Sequence, residues 1–121
     1  MRRRLMKSKI HRATVTSADL NYEGSLTLAV DLMRAADLVE YEEVQVVNVT
    51  NGSRLVTYVI AGTAGSGVVQ LNGAAARLGQ PGDLVIVMAF TELDDDQLAA
   101  FRPTIVHVDG RNRITPESRG R

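Results

Sequence analysis

Val44-Gln45-Val46-Val47-Asn48-Val49-Thr50-Asn51-Gly52-Ser53-Arg54-Leu55-Val56-Thr57-Tyr58-Val59-Ile60-Ala61 is the stretch on which the reading of the fold turns. Its two halves, Val44 to Val49 and Leu55 to Ala61, are rich in β-branched residues, which suit a pleated, half-buried surface. Between them stands Asn51-Gly52, the dipeptide that most readily supplies the positive φ angles of a tight hairpin. Two paired strands are therefore expected here. Similar short runs separated by turn signals lie on both sides of the hairpin, so a compact, mainly β domain with secondary helices is expected.

Upstream, apolar and polar residues roughly alternate from Lys9 to Thr16, as a half-buried strand requires, and Ser25 to Val30 reads the same way. Asp31 to Leu38 consists of good helix formers, with Asp31 placed as an N-cap. Downstream, Val68 to Leu71 reads as a short strand and Gly73 to Leu78 as one or two helical turns. Gly82-Asp83 is a turn into the strand Leu84 to Thr91, apolar enough to be central. Asp94-Asp95-Asp96 is expected to open a helix that Pro103 stops, and Thr104 to Val108 to form a last strand. Residues 1–110 then make a single domain, and 111–121 a mobile tail.

The chain has 121 residues, 45% hydrophobic and 23% charged, which is ordinary globular composition. Fourteen basic and fourteen acidic residues balance, so no global field draws the protein to nucleic acid or anionic lipid. With no cysteine, disulfides, thiolate zinc sites and cysteine nucleophiles are excluded. The longest apolar run, Leu84 to Phe90, is far short of the roughly 18 residues of a membrane-spanning helix. The charged N-terminus lacks the apolar stretch of a signal peptide, and a cytoplasmic location is expected.

Several motifs have plain explanations. Gly62-Thr63-Ala64-Gly65-Ser66-Gly67 has no Lys-Ser/Thr after it and leads into a strand, whereas a phosphate loop opens a helix. The acidic triplet Asp94 to Asp96 has no nearby His or further carboxylates and reads as a helix start, so no metal is expected. Arg2, Arg3, Arg4, Lys7, Lys9 and Arg12 form a basic cluster with few aromatics to stack on bases, and a solvated charged edge is the simpler reading.

Lys9-Ile10-His11-Arg12-Ala13-Thr14-Val15-Thr16-Ser17-Ala18-Asp19-Leu20-Asn21-Tyr22-Glu23-Gly24-Ser25 resembles the segment that aspartate 1-decarboxylases cleave to create a pyruvoyl group. Further likeness lies in Asn48 to Arg54, Thr57-Tyr58, Leu71 to Ala76, and Gly82-Asp83 followed by an apolar strand, in the family's order and spacing. The resemblance runs from about Lys7 to Pro103. It implies a six-stranded double-psi β barrel with short helices, assembled as a homotetramer with active sites between neighbouring subunits. It also implies self-cleavage between Gly24 and Ser25 into a β chain, 1–24, and an α chain, 25–121, with or without a maturation helper protein. The implied activity is decarboxylation of L-aspartate to β-alanine and CO2, feeding pantothenate and hence coenzyme A synthesis.

Decarboxylation of an α-amino acid leaves a carbanion that no ordinary side chain delocalises, so an electron sink is needed. By resemblance the sink is a covalent pyruvoyl group made from Ser25, which forms a Schiff base with the substrate, with neither metal nor pyridoxal phosphate. The Ser25 hydroxyl attacks the Gly24 carbonyl. A glycine at 24 suits this, because it lets the nucleophile approach and the backbone adopt angles that other residues avoid. The resemblance gives Thr57 the role of oxyanion donor, gives Asn72 a role in holding the processing loop, and makes Tyr58 the proton donor to Cα. Arg54 is implied as the carboxylate clamp, since a guanidinium offers two charge-assisted hydrogen bonds. Lys9 and His11, on one strand face, add positive charge or donors, and Thr57 with the backbone of Gly73, Ala74 and Ala75 lines the pocket.

Two alternatives stay open at this level. One is a non-catalytic barrel whose basic N-terminal edge binds nucleic acid or a protein. The other is a decarboxylase of another small amino acid such as glutamate.

Overall fold

The computed structural model describes residues 1–119. Its strands are β1 (Arg2–Thr14), β2 (Ser17–Asp19), β3 (Ser25–Ala29), β4 (Glu43–Asn48), β5 (Arg54–Gly62), β6 (Val69–Asn72), β7 (Leu84–Asp94) and β8 (Thr104–His107). One short helix, α1 (Val30–Ala35), follows β3, and 3-10 turns occupy Gly73–Arg77 and Asp95–Gln97. The strands form one sheet in the order β2-β6-β3-β5-β4-β7-β1-β8.

That order forces curvature. In a flat sheet, β2 and β1 would lie six strand spacings, roughly 29 Å, apart. Only Val15 and Thr16 separate them in the chain, and three Cα steps reach about 11 Å at most. The sheet must therefore curl until its two ends meet. The Val15 N–H donates to Asp83 O, and the Thr16 N–H donates to Val69 O, each at 2.8 Å. Alternate residues of the strands point into the enclosed space, where Ile10, Leu26, Leu28, Val59, Val69 and Val85 are fully buried. Leu32 and Met33 of α1 join this core.

The mainly β class is the one expected. Among the described residues the sheet has eight strands, the shortest of which, β2, has only three residues. β7 is central, with β1 on one side and β4 on the other. β1 starts well before Lys9 because its antiparallel partner β7 extends to Asp94 and supplies acids opposite its arginines. Arg2 meets Glu92 and Asp94 at 3.3 Å, and Arg3 meets Asp95 at 2.7 Å. Lys7 pairs with Glu42 at 2.7 Å. Much of the basic N-terminal cluster is thus spent on pairing within the chain.

Four local expectations need correction. Asp31 is not the N-cap of α1: Ala29 holds that position, and the Asp31 carboxylate accepts from the Gly65 N–H at 2.9 Å. The β4–β5 hairpin exists, but its loop is longer than two residues. Asn48 folds it by accepting from the N–H groups of Thr50 and Asn51, and of the dipeptide only Gly52 has positive φ, at 79°. The expected helix after Asp94 is only the 3-10 turn Asp95–Gln97, because Asp94 and Gln97 close a capping box while the chain before them remains in β7.

The fourth correction concerns the C-terminus. The expected mobile tail folds back on the barrel: Arg119 forms a bridge with Ile105, and Ile114 with Val108. Gly120 and Arg121 lie outside the described residues. Asn112, buried and left-handed at φ 61°, accepts from the Thr14 N–H and donates to the carbonyls of Thr14 and Gly67, all at 2.8 Å. Asn112→Ala strands these backbone groups, and a loss of about 2–3 kcal/mol is expected in denaturant unfolding. A loss below about 0.5 kcal/mol would mean that water replaces the amide there.

Candidate active site at the Gly24-Ser25 corner

Strand β5 changes partner in mid-course. Residues 54–58 run antiparallel to β4, with Glu43 opposite Tyr58, whereas 59–62 run parallel to β3, with Leu26 opposite Val59. The switch falls between Tyr58 and Val59, at the level where β3 begins with Ser25. On its other side β3 pairs with β6, which puts Asn72 opposite Ser25 and Gln70 opposite Thr27. Leu26, Leu28, Val69 and Leu71 fill the core, so Ser25, Thr27, Gln70 and Asn72 share the other face.

These four polar residues are hydrogen-bonded together. Asn72, fully buried, donates through Nδ2 to Ser25 Oγ and to Thr27 Oγ1, both at 2.9 Å. Gln70 Nε2 donates to Asn72 Oδ1 at 2.6 Å. The Ser25 hydroxyl, itself only 1% exposed, donates to the Glu23 carbonyl at 3.2 Å. A buried hydroxyl is thereby held at the start of a strand, beside the preceding peptide bonds.

Two cavities flank this corner. One, of about 320 Å³, is lined by Gly24, Thr57, Tyr58, Ala74, Ala75 and Leu78, with Leu55 and Val56. The other, of about 250 Å³, is lined by Tyr22, Glu23, Ser25, Tyr41 and Tyr58, with Glu40, Ile60 and Ala61. Tyr58 lines both. A larger depression of about 420 Å³ around Arg77, Gln80 and Asp83 contains none of the residues expected at the site.

The need for glycine falls at a different place from the one expected. Gly24 does not have positive φ, and a Cβ there would meet only Asn72 O, at 4.0 Å. Gly73 is the constrained position, with φ 62°. A Cβ on it would lie 2.7 Å from Gly24 Cα, 2.8 Å from Gly24 N and 2.8 Å from Tyr22 O. The 3-10 turn that Gly73 opens is thus packed backbone to backbone against the 22–24 segment.

Lys9, His11 and Arg54 line neither cavity. Arg54 opens β5, four residues and roughly 13 Å along the strand from Tyr58, and bonds Gln45 Oε1 at 3.3 Å. Lys9 and His11 lie on β1, beyond β4 and β7 in the sheet. Their faces agree with the alternation, since Ser8 and Ile10, on either side of Lys9, are buried. A bulge follows, with Arg12 at φ 61°.

His11 packs edge-on against His107 of β8, ring centres 5.3 Å apart, and its Nδ1 is buried without a partner. Burial, followed by the charges of Lys9, His107 and Arg12, lowers its pKa below the ordinary 6.5. Below about pH 6.5 the unfolded chain binds a proton that folded His11 refuses, so its contribution to stability is full above that pH and falls off below it. The protein has two histidines, so two imidazole C2–H signals are expected. His107→Phe assigns them, and in the wild type the His11 midpoint is expected below 6.5. A midpoint at or above that value would contradict the effect of burial.

Sequence reasoning missed Thr27, Gln70 and Ser17 as members of this network. A signal was present: Ser25/Thr27 and Gln70/Asn72 are polar residues at period two in otherwise apolar strands, which marks a shared polar face.

A buried serine and asparagine beside a tyrosine-lined cavity on a small β scaffold suit an enzyme more than a passive binder, and comparison with known proteins gives the reaction class. A family model described as aspartate decarboxylase matches residues 1–115. A Myxococcus xanthus protein named aspartate 1-decarboxylase is 60% identical over 116 residues, covering 96% of this chain and 89% of its own. Proteins of the same name from Mycolicibacterium smegmatis and Moorella thermoacetica are 59% identical over 114 residues and 55% over 120. They cover 94% and 99% of this chain, and 84% and 94% of their own. The protein is therefore an enzyme of the carboxy-lyase class. It belongs to the aspartate decarboxylase family.

Proposed function

We propose that the chain is a proenzyme that cuts itself between Gly24 and Ser25 and then converts L-aspartate to β-alanine and CO2, supplying pantothenate synthesis. The observation that carries this reading is the buried Ser25 hydroxyl, held between Asn72 Nδ2 at 2.9 Å and the Glu23 carbonyl at 3.2 Å. In the cut, Ser25 Oγ bonds to the Gly24 carbonyl carbon, the C–N bond breaks, and the hydroxyl proton passes to the Ser25 nitrogen. Loss of the Ser25 Cα proton with cleavage of the Cβ–O bond releases the Gly24 carboxylate and leaves dehydroalanine. Water then converts this to a pyruvoyl group with loss of ammonia. Thr57, on the same cavity as Gly24, donates to the developing oxyanion.

The surroundings fit such a group. Asn72 Nδ2 is a fixed donor beside residue 25, and the 320 Å³ cavity falls in the range of small-ligand pockets. The pyruvoyl group supplies an electrophilic carbonyl that accepts the electron pair freed with CO2. The remaining steps fall to side chains. Tyr58, on both cavities, returns a proton to Cα; Arg54 clamps the β-carboxylate; the backbone of Gly73, Ala74 and Ala75 bounds the pocket. Because Lys9, His11 and Arg54 line neither cavity beside Ser25 within one chain, a neighbouring copy in a homotetramer presents them to it.

Intact mass under denaturing conditions tests the reading. Fragments 1–24 and 25–121 are expected, the second lighter by one ammonia than a chain starting with serine, together with turnover of aspartate over glutamate. A single uncut chain, even after addition of cell extract, would overturn self-processing. Preference for glutamate would overturn the substrate. Tyr58→Phe is expected to be cut normally and to lose about 10²–10⁴-fold in kcat, the range for a lost general acid. Unchanged kcat would remove Tyr58 from proton transfer.

A further inference from the structure

The hydrogen bonds around Asn72 do not stop at Gln70. Ser17 of β2 lies opposite Gln70 in the parallel β2–β6 register, and its hydroxyl donates to Gln70 Oε1 at 2.6 Å. A chain of polar contacts therefore crosses three strands, from Ser17 through Gln70 and Asn72 to Ser25 and Thr27.

Direction matters in this chain. An amide has one acceptor and one donor end, and Ser17 occupies the acceptor end of Gln70. Nε2 is left to donate to Asn72 Oδ1, which turns Asn72 Nδ2 toward the two hydroxyls of β3. Without Gln70, the buried Oδ1 has no partner in this network, and Asn72 is free to rotate its amide away from Ser25. We propose that Gln70, held by Ser17, is a positioning residue for the break at Gly24-Ser25, acting through the orientation of Asn72. The proposal rests on the self-cleavage reading above and adds to it the device that aims Asn72.

Cleavage rates read by intact mass, on freshly purified precursor, provide the test. Gln70→Leu keeps the size and removes both amide ends; Gln70→Glu keeps an acceptor for Ser17 but loses the donor to Asn72. Both are expected to slow cleavage by about tenfold or more, in line with loss of a buried orienting hydrogen bond, and Ser17→Ala by less. The decisive comparison is Gln70→Leu in an Asn72→Ala background. If Gln70 acts through Asn72, the double variant cuts no more slowly than Asn72→Ala alone. A merely structural loss would multiply with the first.

Wild-type rates in Gln70→Leu and Gln70→Glu, or multiplying effects in the double variant, would overturn the proposal while leaving self-cleavage intact. A wild type that never cuts would overturn the underlying reading and the proposal with it. Circular-dichroism melting of each variant separates slow cutting from failure to fold.

Discussion

Ser25→Ala is expected to yield a single uncut chain of 13.1 kDa with no decarboxylase activity. The substitution removes the one atom, Oγ, that lies between the Asn72 amide and the Glu23 carbonyl and that, in the proposed cut, attacks the Gly24 carbonyl carbon. No other side-chain nucleophile replaces it: Thr27 Oγ1 is two residues along β3, on the far side of the Asn72 amide contact, and the chain has no cysteine. Loss of a nucleophile costs on the order of 10⁶-fold in related covalent chemistry, so cutting should be undetectable over days. The fold should survive, since Asn72 Nδ2 keeps Thr27 as a partner and the change costs about 1 kcal/mol. A Ser25→Ala chain that is still cut at Gly24 would show that another group attacks, and the mechanism above would fall.

Gly73→Ala is expected to slow the cut strongly, although it adds only one methyl group away from the scissile bond. The new Cβ would stand 2.7–2.8 Å from two backbone atoms of Gly24 and the Tyr22 carbonyl, none of which is a flexible side-chain end. Left-handed φ at 62° adds about 1 kcal/mol of strain for any residue with a Cβ. Relief requires the 22–24 segment to shift by a sizeable fraction of an ångström, and a misplacement of about 1 Å costs on the order of 100-fold in rate. Mass time courses should show cutting slowed to that degree, while Gly24→Ala, with only Asn72 O at 4.0 Å from its Cβ, should slow it far less. The reverse order would restore position 24 as the steric bottleneck.

For Tyr58, the proposed proton donor, the same architecture explains why one tyrosine borders two spaces. β5 leaves β4 and joins β3 between Tyr58 and Val59, so the Tyr58 side chain stands at the edge between the Gly24 cavity and the Ser25 cavity. In the proposed function, processing and turnover thereby share walls. A variant of Thr57 or Asn72 is accordingly expected to disturb both, whereas Tyr58 separates them.

Much of this was legible in the sequence, for physical reasons that act locally. Period-two alternation in Ser25 to Ala29 and the β-branched runs about Asn51-Gly52 depend on neighbours one to four residues away, and the β class followed from them. The motif Glu23-Gly24-Ser25, with Thr57-Tyr58 and Asn72-Gly73 in order, pointed to the family that the comparisons show. Local rules failed where distant groups took over. Asp31 lost its cap role to a contact with Gly65, thirty-four residues on, and the 111–119 segment was ordered by Asn112 bonding to Thr14 and Gly67.

The sequence by itself thus determined the strand-rich class and the family, and singled out the serine proposed to react, because these rest on residue type and short-range spacing. Only the tertiary structure decided that Ser25 faces Asn72 across β3 and β6, that Gln70 and Ser17 extend that contact, and that Gly73 rather than Gly24 bears the steric constraint. It also decided that Lys9, His11 and Arg54 line neither cavity beside Ser25 within one chain. The reason is the register of a curled sheet: which residues meet across strands depends on pairings forty-five or more positions apart, and no local pattern encodes those.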